Sequence, residues 1–158
     1  MKNVATIKMA TTTVDFTVAK TLIAAYVQWL GMDLAFQQFD KEMGSLPEMY
    51  SPIHGGLFIA FHLQQAVGVA GLRQLSATEG EVKRMFIEPG SRGLGIGQLL
   101  LSACIDAAKK LSYHSVKLDT IDTMKPAIQL YKANGFVEIK AYRHNPHKDA
   151  KYFELQLK

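Results

Sequence analysis

The chain has 158 residues, 48% of them hydrophobic and 20% charged, with a net charge of +4 and a single cysteine. That content suits one domain over residues 1–158 with a sizeable core, and it excludes a disordered chain and an internal disulfide. No apolar run approaches the ~20 residues of a membrane helix, no secretion leader is legible, and no basic run or aromatic-interleaved stripe suggests nucleic acid, so the expected setting is cytoplasmic.

Residues 3–9, NVATIKM, read as a first strand. Thr11, Thr12 and Thr13 offer capping hydroxyls, and apolar residues at 18, 22, 23, 26, 27 and 30 give the period of a helix that Gly31 ends. A second helix is expected over 33–44, closed by Gly44, followed by a loop over 45–56 with two prolines and two glycines. Residues 57–63 and 66–72 are apolar runs joined by a short turn at Gln64-Gln65, a hairpin pattern. A turn at 76–80 leads into the strand EVKRMFIE, which Pro89-Gly90 stops.

Next come Arg92, Gly93, Leu94, Gly95, Ile96, Gly97 and Gln98, then a helix to about Leu111. Unpaired amides at a helix N-terminus, with glycines just before them, are suited to a phosphate. The Walker pattern fails because Ile96-Gly97 stands where Lys and Ser or Thr are needed. The dinucleotide pattern fails because its third glycine falls one position early and the stretch lies in the second half of the chain. The spacing R-x-x-G-x-G is met by Arg92, Gly95 and Gly97, with a plain strand-to-helix turn as the bland alternative. Cys104, mid-helix between Ala103 and Ile105, reads as a core filler.

A strand over 115–120, a helix over 125–133 with Pro126 in its first turn, and a stop at Asn134-Gly135 follow. Residues 136–140 and 151–157 pair as a closing antiparallel ribbon. The β–α–β piece over 81–120 should form a parallel pair and the rest an antiparallel one, so the expected class is a mixed α+β sheet.

Arg92-x-x-Gly95-x-Gly97 resembles the acetyl-CoA loop of the GNAT N-acetyltransferase superfamily. Ala127, Leu130, Tyr131, Gly135 and Phe136 are similar to that family's AxxLYxxxGF segment, at the usual distance behind the loop. The resemblance runs from the first strand to the last. It implies the GNAT acyl-CoA N-acyltransferase fold: about seven strands, mostly antiparallel, around a parallel β–α–β core and flanked by helices. It also implies transfer of acetyl from acetyl-CoA directly to a primary amine of a small molecule or protein, without a metal. A non-catalytic acyl-CoA-binding module is the alternative, and either a monomer or a homodimer is compatible.

Carried over by position, the backbone of Met85, Phe86 and Ile87 would hold pantetheine, and the amides from Arg92 to Gln98 the pyrophosphate. Tyr131 takes the place of the acid that protonates the leaving thiolate, and Glu81 that of the base. Met124 departs from the family's usual asparagine, with Thr123 or Asp122 as neighbours able to compensate. The acceptor side would draw on Trp29, Phe36, Tyr50, Tyr142 and Arg143, with Phe39, His54 and His144 nearby. Arg143 suits an acidic acceptor, whereas Asp40, Glu42 and Glu48 suit a cationic one, and the sequence leaves both open.

Overall fold

A computed structural model describes residues 5–31 and 38–157. In chain order the elements are β1 (Thr6–Met9), α1 (Thr13–Leu30), α2 (Phe39–Met43), α3 (Leu46–Met49), β2 (Gly56–His62), β3 (Gln65–Ser76) and β4 (Glu79–Ile87). They continue with α4 (Ile96–Lys110), β5 (Ser115–Ile121), α5 (Lys125–Ala133), β6 (Val137–Ile139) and β7 (Ala150–Gln156). The seven strands form one sheet in the order β1-β2-β3-β4-β5-β7-β6. β4 and β5 pair in parallel and every other pair is antiparallel, as the mixed-sheet reading expects.

Local chemistry accounts for most boundaries. Thr12 and Asp15 form a reciprocal capping box at the start of α1, and Gly31 ends that helix in the left-handed region. The hairpin turn lies one residue earlier than expected: Leu63 and Gln64 both have positive φ, and His62 faces Gln65. That is the handedness a two-residue hairpin needs, reached here without glycine. The expected second helix over 33–44 is observed as the short α2, with 32–37 and therefore Phe36 outside the described residues. The proline loop that follows contains the single turn α3.

The sheet is covered on both faces. Leu100, Leu101 and Cys104 of α4 pack with Val116, Leu118 and Phe153 on one side. Ala19, Leu22 and Ile23 of α1 pack with Tyr50, Ile59 and Val69 on the other. Cys104 is fully buried and burial pushes its thiol pKa up to about 12, so it fills space and does not act as a nucleophile.

One irregularity in β4 positions the site. Lys83 pairs with Gly71 and Phe86 with Val69, so Arg84 and Met85 together oppose Ala70. This is a β-bulge, and Arg84 sits in it at φ 61°. The extra residue resets the alternation of the strand. Phe86 joins the core on the α1 side, while Met85 and Ile87 pack towards α4. The parallel pairing of β4 with β5 covers only Glu79–Glu81 against Ser115–Lys117, although both strands run on. β5 stays paired with β7 along its whole length. β4 therefore peels away from β5 beyond Glu81 and leaves a gap between them.

Tyr50 supports the bulge from the α1 face. Its ring lies against Gly71, where a Cβ would come within 2.5 Å of Cε1. Gly71→Ala should therefore destabilise the fold by about 1–3 kcal/mol, as overpacking does in a filled core, with the midpoint of chemical denaturation as the measurement.

Candidate active site

The peeled edge of β4 leads directly into the glycine loop. The Glu88 amide donates to Val67 O at 2.8 Å, so by strand alternation the groups of Phe86 face β3 while those of Met85 and Ile87 face the gap. Beyond a 3₁₀ turn at Pro89–Ser91, Gly93 and Gly95 take φ of 83° and 80°. A Cβ at either would meet nothing within 4 Å, so the loop needs these glycines for their backbone conformation. A Cβ at Gly97 would instead press on Ile87 Cδ1 and Leu130 Cδ2 at 3.2 Å, so close packing requires that glycine. Gly95 caps α4 without a side-chain partner, which leaves the amides of Ile96, Gly97 and Gln98 as first-turn donors of a 15-residue helix.

These segments line a groove of about 340 Å³ that takes in Met85, Phe86, Ile87, Arg92, Gly93, Gly95, Ile96 and Gly97, with Thr123 and Met124 opposite. Leu94 is exposed and does not line it, and the Gln98 side chain exchanges hydrogen bonds with Asn134 at 2.9 Å. Thr123 thus stands beside Met124 at the position the sequence singles out, while the Asp122 carboxylate pairs with Lys125 at 3.1 Å. The Arg92 guanidinium donates through Nε to Ile87 O at 3.0 Å and stacks 4.5 Å over the Trp29 ring. Trp29, expected on the acceptor side, lies instead on this groove.

A smaller cavity of about 80 Å³ occupies the gap between β4 and β5, bounded by Lys83, Arg84, Met85, Asp119, Thr120 and Tyr131 among others. Tyr131 is buried against Phe136 and Phe153, with ring centroids 5.8 and 6.3 Å apart. Burial raises its phenol above the ordinary range, so it stays protonated at neutral pH.

The α1 face of the bulge is ionic. Arg84 is clamped by Glu42 of α2 through Nε–Oε2 and Nη2–Oε1, both 2.9 Å, and Tyr50 Oη donates to Oε2 at 2.8 Å. Glu42 and Arg84 are 1% and 3% exposed. A bidentate buried pair thus holds a non-glycine residue in the left-handed region. Burial would raise the Glu42 pKa, but Arg84 and Tyr50 outweigh it and hold the carboxyl below its ordinary value. Tyr50 itself is fully buried, so it supports the site from behind and does not line the acceptor side as expected.

Glu81 is also fully buried. Its Oε1 accepts from Arg73 Nε at 2.9 Å, and its Oε2 accepts from Tyr142 Oη at 2.5 Å and from Arg143. Burial would raise its pKa, but Lys83, Arg143 and Arg73 dominate and keep it ionised. Lys83 is pushed down to about 8, chiefly by burial, with Glu81 opposing and Arg84, Arg143 and Arg73 assisting. Tyr142 and Arg143 are thereby held by the centre of β4. Arg73, Lys83 and Arg84 are not legible as site residues in the sequence, and Glu42, which the sequence offers to a cationic acceptor, is instead committed to Arg84. The adjacent cations Lys83-Arg84, set between the apolar Val82 and Met85-Phe86-Ile87, are the signal, because strict alternation would bury one of them in the α4 core.

The sequence profile of the Acetyltransferase (GNAT) family matches residues 18–136. The chain belongs to the GNAT acetyltransferase family. An uncharacterized N-acetyltransferase of Schizosaccharomyces pombe is 38% identical over 140 residues, spanning 87% of this chain and 86% of that protein. The crystal structure of a GNAT acetyltransferase from Staphylococcus aureus superposes with a TM-score of 0.80 at 25% identity, covering 98% of this chain and 99% of the other. A GNAT acetyltransferase from Elizabethkingia anophelis, solved with acetyl-CoA bound, shares the fold at a TM-score of 0.68 and 19% identity, over 99% and 100% of the two chains. The GNAT fold and its acetyltransferase activity are therefore those of this chain.

The Glu42 and Glu81 carboxyls both lie below the ordinary value of 4.5. Their stabilisation is complete above that value and is lost as pH falls through their folded-state values. Stability should stay level from neutral to about pH 5 and fall below it. Glu42→Gln should lower stability at neutral pH by about 3–5 kcal/mol, because it strands a buried guanidinium, and should flatten the acid limb; urea denaturation across pH measures both.

Proposed function

We propose that this acetyltransferase moves the acetyl group of acetyl-CoA to a primary amine while both are bound. The observation that carries the reading is the strand edge at Met85 and Ile87, which β5 leaves uncovered, leading into the first-turn amides of α4 along one groove, with Tyr131 in the adjoining cavity. Pantetheine would lie along the peeled edge of β4 as an added strand, and the pyrophosphate on the amides from Gly93 to Gln98. Arg92 would release Ile87 O to the pantetheine and turn its charge to the phosphates.

Acetyl-CoA supplies a thioester whose carbonyl carbon an amine nitrogen attacks, breaking the carbon–sulfur bond. The amides at the bulge polarise that carbonyl, and fixed orientation in the gap supplies much of the acceleration. Tyr131 gives its phenolic proton to the departing sulfur and regains one from solvent. The acceptor nitrogen must be neutral to attack. The burial that chiefly holds Lys83 at about 8, with Arg84, Arg143 and Arg73 assisting, also disfavours an ammonium placed beside it. The surplus proton then leaves through the gap past Asp119 and Asn145. We assign Glu81 the task of anchoring Tyr142 and Arg143 in place of the base role that the resemblance implies, because both its oxygens already accept hydrogen bonds.

Thiol release from acetyl-CoA with an amine panel tests the reaction, and its failure with every amine would overturn it. Tyr131→Phe should lower kcat about 100-fold with little change in acetyl-CoA affinity; an unaltered kcat would remove the acid role. Glu81→Gln should raise KM for the acceptor yet keep the rise of rate from about pH 6 to about pH 8, since the titrating group is the acceptor itself. Loss of that rise would restore Glu81 as the base.

A further inference from the structure

The acceptor's charge can be read from groups the transfer step does not use. On the α1 side of the sheet, next to the bulge, a cleft of about 340 Å³ is lined by Lys41, Glu42, Arg73, Arg143 and His144 among others. Glu42 lines this cleft and its partner Arg84 lines the gap at Tyr131. Arg143 lines the cleft and Asn145, two residues on, lines the gap. The two spaces thus meet across one ion pair and one loop.

The charges there do not balance. Two guanidiniums, Arg73 and Arg143, converge on the single carboxylate of Glu81. Arg73 commits only Nε and Arg143 only one Nη. A guanidinium carries five N–H donors, so most donors of both remain without a hydrogen bond to the described residues. Their side chains are 24% and 20% exposed, so these donors reach the cleft. Lys41 and Lys83 add positive charge, and Asp119 lies across the gap, away from the cleft. The carboxylates that would welcome a cation are already used: Glu42 is saturated by Arg84 and Tyr50, and Glu81 by Arg73, Tyr142 and Arg143.

We infer that the acceptor is an amine bearing a second, oxyanionic group, and that Arg73 and Arg143 bind that group in the cleft while the nitrogen enters the gap. Paired planar donors suit a carboxylate or phosphonate. Glu81 is the positioning residue that fixes both guanidiniums. A neutral or cationic amine leaves their donors unsatisfied, which is how a polar site rejects an analogue lacking the matching group. The inference deepens the proposed transfer to an amine and rests on it.

Calorimetry with the full chain saturated in coenzyme A tests it. The probes are small N-acetyl amino acids, each beside its uncharged carboxamide, and the N-acetyl aminoalkylphosphonates. At least one carboxylate or phosphonate should bind ten-fold or more tighter than its neutral partner. Arg143→Gln and Arg73→Gln should each reduce that preference below three-fold with coenzyme A affinity unchanged. Arg143→Lys, which keeps the charge and loses the planar fork, should lose part of it, and serves if a glutamine variant fails to fold. Equal or tighter binding of every carboxamide, or a preference that survives all three variants, would overturn the inference. Coenzyme A titrated into the ligand-free chain, with the probes repeated there, separates the two proposals: an intact oxyanion preference without coenzyme binding would sink the transfer reading and leave the subsite standing.

Discussion

The ion pair between Glu42 and Arg84 is the constraint on which the site depends. Arg84 is the residue at φ 61° in the β4 bulge, and its guanidinium is gripped at two points by a carboxylate from a different element. A left-handed arginine costs about 1–2 kcal/mol against an ordinary strand conformation. A buried pair is worth little net against an apolar pair of the same size, but leaving either partner alone is expensive. Its role is therefore specificity. In the bulged register neither charge is stranded, and Tyr50, seated on Gly71, fixes the carboxylate from behind.

The other features follow from that extra residue. The bulge turns Met85 and Ile87 to face the opening beside β5, and it keeps Arg84 on the side of the sheet that Glu81 and Lys83 already share. Backbone donors on one edge and ionic side chains on the α1 face thus meet in one short length of strand. The proposed chemistry divides along that line, with the thioester held by backbone and the acceptor sorted by charge. Because Glu81 binds Tyr142 and Arg143 near the other end of the sheet, the loop before β7 is tied to the same strand.

Much of this was legible in the sequence, because period and punctuation are local. The order of strands, the helix over 125–133 and the glycine loop all rest on residues close together in the chain, and the structure has them in place. The hairpin turn at Leu63-Gln64 lay one residue off because neither residue carries the usual turn preference. The bulge was hidden for a different reason. It is a mismatch between two strands, and its stabilising partner Glu42 is 42 positions away in a short helix. The resemblance sets Trp29 and Tyr50 on the acceptor side by their place in the first helices and the loop after them, whereas packing puts one on the groove beside the glycine loop and the other in the core. Long-range ion pairs decide such sites, and no window along the chain contains both partners.

The most direct measurement of the central claim is a crystal structure of the chain with coenzyme A. It should show the pantetheine amides hydrogen-bonded to Met85 and Ile87, the pyrophosphate on the amides from Gly93 to Gln98, and Arg84 still clamped by Glu42. Coenzyme density lying elsewhere, or a β4 that straightens with the Glu42–Arg84 pair broken, would contradict the account.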